Sequence, residues 1–300
     1  MWQQLLIDIQ QGNSRSLARS ISLVENEAEG YENFMKSLTL KHDAKLIGIT
    51  GPPGAGKSTL VDALIGELVN NGTKVGVLCV DPSSPFHLGS LLGDRIRMSE
   101  WYNHPKVFIR SLATRGALGG LHPKIIEITD LLKEASFDYI IIETVGVGQS
   151  EVEIAGLADI TVVVLVPEGG DEIQTMKAGL MEIADIFVVN KSDRPGADQF
   201  VRNLNLMLSP AIQKDHTKIP IIKTIASTKS GTHELVMAIQ KLQSKENGNN
   251  KKNWLLTEQA YYLIQNKKMK NINKNTLKEM IEQSLRKGNF NLYHFIDEYS

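Results

Sequence analysis

The sequence predicts an α/β fold: a mostly parallel central sheet flanked by helices, with a helical extension at each end of the chain. Seven short β-rich runs, apolar on both faces, recur between residues 46 and 223. Strands without a polar face belong in a parallel sheet covered on both sides. Stretches with helical apolar spacing separate these runs. The motif-like loops follow directly after the runs, at the carboxyl ends of the strands, where open sheets of this kind gather their ligands.

In chain order, residues 1–42 form an N-terminal helical extension. Leu5 and Ile9 make one apolar turn, and Leu17, Ile21 and Val24 make a longer stripe, with polar Gly12-Asn13-Ser14 between them. Residues 43–244 carry the runs LIGIT (46–50), VGVLCV (75–80), VFI (107–109), YIII (139–142), ITVVVLV (160–166), IFVV (186–189) and PIIK (220–223). At 245–253 the sequence KENGNNKKN is polar and basic, an expected linker or exposed turn. It opens a C-terminal helical region, 245–300, with one stripe on Leu256, Ala260, Leu263 and Ile264 and another on Leu277, Ile281 and Leu285.

Composition narrows the function classes. Hydrophobic residues make up 42% of the 300 and charged residues 22%, an ordinary globular balance. Lys and Arg number 33 against 34 Asp and Glu, so a broad phosphate-neutralising surface is not expected and nucleic acid is not the expected partner. The near-neutral total is uneven: residues 245–300 carry ten Lys and Arg against six Asp and Glu, net +4, which leaves −5 for 1–244. The single cysteine, Cys79, allows no disulfide within the chain and no cysteine-rich metal cage, which fits a reducing, cytoplasmic setting. The N-terminal stretch has no basic start and carries Asp8 among its apolar residues, so it does not read as a signal peptide. The longest strongly apolar run, 160–167, is far short of the roughly 20 residues that span a bilayer. No membrane role is expected.

The clearest chemical signal is GPPGAGKST, Gly51 to Thr59, between a strand and a helix. It matches the phosphate-binding G-x-x-x-x-G-K-[ST] pattern and narrows the fold class to a P-loop NTPase. Gly51, Gly54 and Gly56 let backbone amides, including that of Ala55, close around phosphates without a Cβ in the way. The helix N-terminus at Lys57, Ser58 and Thr59 adds positive potential. Lys57 supplies a point charge for the β- and γ-phosphates, and the Ser58 hydroxyl can ligate Mg²⁺.

Acidic residues follow on neighbouring runs. Asp81 ends the second run and Asp94 lies beyond a Gly/Ser-rich loop. A carboxylate at a strand end can hold Mg²⁺ through water or orient an attacking water, and one on a mobile loop can complete the metal shell when triphosphate binds. The alternative for Asp-Pro-Ser-Ser is turn chemistry alone. Glu143 ends the fourth run, with Gly146 at the E-x-x-G spacing. Glu143 is a candidate for supporting the metal or ordering the water, and Gly146 for bringing a main-chain amide to the γ-phosphate. Gln149 stands three residues past Gly146, with Val147 and Gly148 between, unlike the water-positioning Gln that directly follows the glycine in small GTPases, so it reads first as a loop amide. Arg115, in Thr114-Arg115-Gly116, reads first as a solvated loop residue and second as a stabiliser of phosphate charge.

The sixth run leads into Asn190-Lys191-Ser192-Asp193, an N-K-x-D pattern. A carboxylate at Asp193 can accept from both N1–H and N2–H₂ of guanine, a pair that adenine does not offer. The Lys191 stem can lie along the base while its head reaches back to the phosphate loop. After the seventh run, the backbone N–H of Ala226 is the candidate donor to guanine O6; many GTPases have Ser where this chain has Ile225.

Together, GPPGAGKST, VDPSSPFHLGSLLGDRIRM, TRGALGGL, ETVGVGQSE, GGDEIQTMKAG and VVNKSD resemble the MeaB/ArgK family of GTPases, in the SIMIBI class of P-loop proteins, some once labelled LAO/AO transport system ATPases or kinases. The resemblance implies slow, Mg²⁺-dependent hydrolysis of GTP to GDP. It implies a G-protein chaperone for an adenosylcobalamin-dependent acyl-CoA mutase of the methylmalonyl-CoA type, working with an adenosyltransferase. It also implies a homodimer built through the C-terminal helices. On the same resemblance, Asp81, Asp94 and Glu143 match the metal and switch acids, and Asp171, Gln174 and Lys177 match a switch that communicates with the mutase. The bland alternative for that last segment is an ordinary helix start, acids first and lysine later. The alternatives for the whole chain are a kinase or ATPase linked to amino-acid transport and a metal-insertion GTPase. Against the last, the seven histidines are scattered and Cys79 lies within a β-rich run.

Overall fold

Among the described residues, seven strands form one sheet in the order β3-β2-β4-β1-β5-β6-β7. They are β1 (Lys45–Thr50), β2 (Val75–Asp81), β3 (Val107–Ala113), β4 (Tyr139–Glu143), β5 (Ile160–Leu165), β6 (Ile186–Val189) and β7 (Ile221–Lys223). Every pairing is parallel. Each of the seven expected runs is a strand. This computed structural model describes all residues except 41–42, 82–97, 115–120, 147–152, 168–177, 216–218, 245–248, 270–271, 289 and 298–300.

Burial explains the apolar character of the runs. Every residue of β2, β4, β5 and β6 is buried, whereas the edge strands β3 and β7 include half-buried or exposed positions. Helices cover the faces. The helix α4 (Lys57–Asn70) buries Leu60, Val61, Leu64, Ile65 and Leu68 in a cluster with Ile47, Ile49, Val77, Ile141 and Val162. Cys79 is buried in the same cluster, as a small apolar residue would be. On the opposite face, Val163, Phe187 and Val189 pack with Phe200, Leu204 and Leu208 of a later helix, Ala197–Asp215.

The N-terminal segment is helical, as its spacing predicts. The helix α1 (Trp2–Gln10) buries Leu5 and Ile9, and α2 (Ser14–Glu25) buries Leu17, Ile21 and Val24. Gly12 takes a left-handed φ of +82°, and the Asn13 side chain caps α2 by accepting from the amides of Arg15 and Ser16. A third helix, α3 (Tyr31–Lys36), is stacked on α1 through Trp2 and Phe34, whose ring centroids are 4.6 Å apart. Both α1 and α2 pack on α5 (Ile125–Glu134). Polar groups fasten these helices to the sheet layer. Arg110 of β3 pairs with Glu25 at 2.6 Å. The buried Glu134 carboxylate accepts from Gln10 Nε2 at 2.9 Å and from the amides of Thr39 and Leu40 at 2.6 and 2.5 Å.

The chain divides into two compact units, Met1–Leu255 and Leu256–Ser300. The second holds the end of one helix, Asn249–Met269, and two shorter ones, Lys274–Arg286 and Leu292–Asp297. Asn273 caps the middle helix through the amides of Asn275 and Thr276. Of the two expected stripes, Leu256, Leu263, Ile264 and Leu285 are exposed, while Leu277 and Ile281 are half-buried.

Candidate functional site

The phosphate loop leaves β1 and enters α4. Its glycines are required by their conformations: φ is +140° at Gly51, +75° at Gly54 and +87° at Gly56. A Cβ on Gly51 would stand 2.1 Å from the Val164 carbonyl oxygen of β5, and one on Gly56 would stand 2.4 Å from Asn190 Nδ2. Pro52 and Pro53 offer no amide N–H and stiffen the approach.

Two residues of α4 aim into the site. Lys57 is buried, and its ammonium donates to the carbonyls of Gly51 at 2.9 Å and Pro52 at 3.1 Å, across the mouth of its own loop. Ser58 is buried and donates to Glu143 Oε1 at 2.6 Å. Thr59 is half-buried in the same helical turn. Sheet order brings Glu143 here: β4 lies beside β1, and the register pairs Glu143 with Ile49 on one side and with Cys79 of β2 on the other. Asp81, two residues past Cys79, ends β2 and is buried, so the two carboxylates occupy the ends of adjacent strands.

Gly146 closes this group. Its φ is +80°, and an added Cβ would stand 2.2 Å from the Gly51 oxygen and 2.4 Å from Lys57 Nζ. The backbone at 146 therefore lies directly against the lysine that the phosphate loop presents. Two threonines join the same region. Thr50 Oγ1 and Thr144 Oγ1 are 2.9 Å apart and fully buried, and the Thr144 amide donates to the Ile49 carbonyl. Sequence reasoning passed over both. The available signal was a threonine at the last position of the first run and another directly after Glu143, which ends the fourth.

The N-K-x-D segment is fastened to the phosphate loop from the other side. Asn190, almost fully buried, donates from Nδ2 to the Ala55 carbonyl at 2.9 Å. Lys191, with φ +54°, donates from Nζ to the Gly54 carbonyl at 2.8 Å, so its head does reach the phosphate loop. Asp193 is exposed, with its carboxylate open to a ligand. The Ala226 amide, the candidate donor to guanine O6, donates here to Asn190 Oδ1 at 3.1 Å, alongside Thr224 Oγ1 at 3.1 Å. The cause is local: the side-chain oxygen of Asn190 is buried between two donors of the following loop, and a buried carbonyl oxygen collects donors. Thr224 was a second omission of sequence reasoning, one residue past the last strand.

The donor set fits a hard cation. Ser58, Glu143 and Asp81 offer only oxygen, from one hydroxyl and two carboxylates, which suits Mg²⁺ and not a soft metal. Among the described residues no group of three or more His, Cys, Asp or Glu side chains is placed to hold a metal. Mg²⁺ needs few protein ligands when phosphates and water supply the rest. Asp94, Arg115, Gln149, Asp171, Gln174 and Lys177 lie outside the described residues. No helix among the described residues is long and apolar enough to cross a membrane.

The model of MeaB, described as methylmalonyl Co-A mutase-associated GTPase, matches residues 17–281. The chain belongs to the MeaB family. A relative from Pyrococcus horikoshii is 50% identical over 236 residues, covering 77% of this chain and 74% of its own length. GTPase ArgK of Escherichia coli is 40% identical over 193 residues, 62% of this chain and 57% of its own. Among solved structures, one titled as an LAO/AO transport system kinase superposes over 99% of this chain and 96% of its own, with a TM-score of 0.69 at 23% identity, a likeness of fold. The MeaB model ends short of the last helix, Leu292–Asp297, and begins at Leu17, inside α2.

Proposed function

We propose that this MeaB-family GTPase hydrolyses GTP with Mg²⁺ and acts as a G-protein chaperone for an adenosylcobalamin-dependent acyl-CoA mutase of the methylmalonyl-CoA type. One observation carries the nucleotide part. Asn190 and Lys191 bond to the carbonyls of Ala55 and Gly54, so the segment suited to guanine and the loop suited to phosphates form one continuous surface. A nucleotide fits along it with its base over Lys191 and toward Asp193 and its phosphates in the loop of Gly51, Gly54, Ala55 and Gly56.

Water attacks the γ-phosphoryl group, and the protein's work is positioning and charge neutralisation. Lys57 exchanges the carbonyls of Gly51 and Pro52 for β- and γ-phosphate oxygens. Ser58 and Glu143 would hold Mg²⁺, Ser58 directly and Glu143 directly or through water, with Asp81 and Asp94 completing or supporting its surroundings. When bound, the ion neutralises phosphate charge. Gly146 brings its amide to the γ-phosphate, a placement that its closeness to Lys57 supports. Thr59 lies in the helical turn that presents its amides to the phosphates. Asp193 selects guanine, and Ala226 donates to O6 once its amide turns from Asn190.

The partner half rests on the family. The segment with Asp171, Gln174 and Lys177 communicates nucleotide state to the mutase, an adenosyltransferase supplies the cofactor, and residues 245–300 form the arm of a homodimer in the cytoplasm. The exposed Leu256, Leu263, Ile264 and Leu285 support an arm that needs a second surface. Co-purification of the chain with an acyl-CoA mutase, with GTP and separately with GDP, tests this half. Association that depends on the nucleotide is expected, and equal or absent association under both overturns it.

A further inference from the structure

We propose that Thr50 and Thr144 are a positioning pair that holds Glu143 and Gly146 on the phosphate loop for GTP hydrolysis. The proposal rests on the GTPase assignment above. The two residues stand where the segments leaving β1 and β4 part. The Thr144 amide bonds to Ile49 at 3.0 Å, continuing the ladder of β1 and β4 by one bond. After it, residues 51–56 turn into the phosphate loop, and 145–146 turn across Lys57. The hydroxyl pair, at 2.9 Å, clasps the two segments at this fork.

The groups proposed above to meet the phosphates and the metal on these two segments, Gly51, Glu143 and Gly146, lie within two residues of the clasp. Glu143, bonded to Ser58 at 2.6 Å, precedes Thr144. Gly146, against Lys57, follows two residues later. Gly51, whose carbonyl accepts from Lys57 at 2.9 Å, follows Thr50. Metal and γ-phosphate act on Glu143 and Gly146 together, and a clasp between them fixes their spacing.

Packing alone does not account for two hydroxyls here. Thr50 and Thr144 are 0% and 1% exposed; Thr50 is the last residue of β1, and Thr144 directly follows Glu143, the last residue of β4. Valine has nearly the same shape and needs no partner when buried. Two facing threonines supply what two valines do not: a directional bond that fixes the separation of the strand ends. Neither residue touches the reacting atoms, so the role is positioning.

The test uses the full chain with four variants: Thr144→Val, Thr144→Ser, Thr50→Val and the double Thr50→Val/Thr144→Val. GTP turnover is measured against Mg²⁺ concentration, together with KM for GTP and Tm. Thr144→Val is expected to lower kcat about 10-fold, since sub-ångström displacement of positioned groups costs rate, and to raise the Mg²⁺ concentration for half-activity several-fold, with KM for GTP changing less than about 3-fold. Thr50→Val should do the same, because it removes the other half of the clasp. Thr144→Ser keeps the hydroxyl and should stay within about 2-fold of the parent. The double variant leaves no orphaned hydroxyl, so its Tm should recover toward the parent value while kcat and the Mg²⁺ requirement stay impaired. If Thr144→Val fails to fold, the double variant carries the test. The proposal is overturned if the single variants keep parental kcat and Mg²⁺ dependence, or if the double variant recovers kcat along with Tm. A parent chain that turns over no GTP at any Mg²⁺ concentration overturns the GTPase assignment itself, and the pair's role with it.

Discussion

Replacing Gly146 by alanine tests how closely the backbone after β4 must approach the phosphate loop. The added methyl would lie 2.2 Å from the Gly51 oxygen and 2.4 Å from Lys57 Nζ. Ordinary van der Waals contact needs about 1 Å more. The residue also sits at φ +80°, which costs an L-residue with a side chain roughly 1–2 kcal/mol. Gly51 is itself packed against β5, where the Val164 carbonyl oxygen stands 2.1 Å from where a Cβ on Gly51 would be. Residues 144–146 must therefore move outward by about 1 Å, a displacement that can cost on the order of 10²-fold in rate, or about 2.7 kcal/mol of activation free energy. The assay is single-turnover hydrolysis at saturating GTP and Mg²⁺, with GDP and GTP affinities from titration of fluorescent analogues. We expect turnover to fall about 100-fold while GDP affinity changes less than about 5-fold, because GDP has no γ-phosphate for Gly146 to meet. Turnover within about 3-fold of the parent would refute the placement of Gly146 at the γ-phosphate.

Three further predictions follow from named contacts. Asp193→Asn should move preference from GTP toward xanthosine triphosphate, because the amide adds a donor where guanine also donates; unchanged GTP affinity in competition binding sinks the base-site assignment. Lys57→Ala removes the charge that Gly51 and Pro52 hold at the loop mouth and should lower turnover by about 10³-fold or more; retained turnover moves the phosphate site elsewhere. At Glu134, burial alone would raise the carboxyl pKa, but bonds from Gln10, Leu40 and Thr39 outweigh it and hold the pKa below the usual range. The stabilisation is therefore present above the unfolded-state pKa and lost as pH falls through the folded one. Glu134→Gln should cost about 2 kcal/mol at pH 7, and thermal melts should show the deficit shrinking as the medium is made acidic; a deficit independent of pH would show that the charge contributes nothing.

Much of the site was legible because its parts are contiguous. Gly51 to Thr59 needs glycine for its φ angles, lysine for charge and serine for a metal oxygen, and these requirements fall at fixed spacing within nine residues. Asn190 to Asp193 was legible for the same reason. The strand runs were legible because a parallel strand buried on both faces leaves little room for polar residues, as the fully buried β5 shows. The apolar spacing of Leu17, Ile21 and Val24 likewise foretold the buried face of α2. Neither the partner of the Ala226 amide nor the clasp of Thr50 with Thr144 was legible in this way. A threonine in a sequence states only that it has a hydroxyl to satisfy.

The sequence by itself determined the elements and the chemistry each loop can offer, since periodicity, glycine placement and motif spacing act over a few residues. Tertiary structure decided which loops meet. Placing β4 beside β1 sets Glu143 on Ser58 across 85 residues of chain and Thr144 on Thr50 across 94, and the carboxyl end of β6 sets Asn190 on Ala55 across 135. No local pattern encodes such pairings. They follow from strand order and register, which the whole sheet fixes when it buries its two apolar faces.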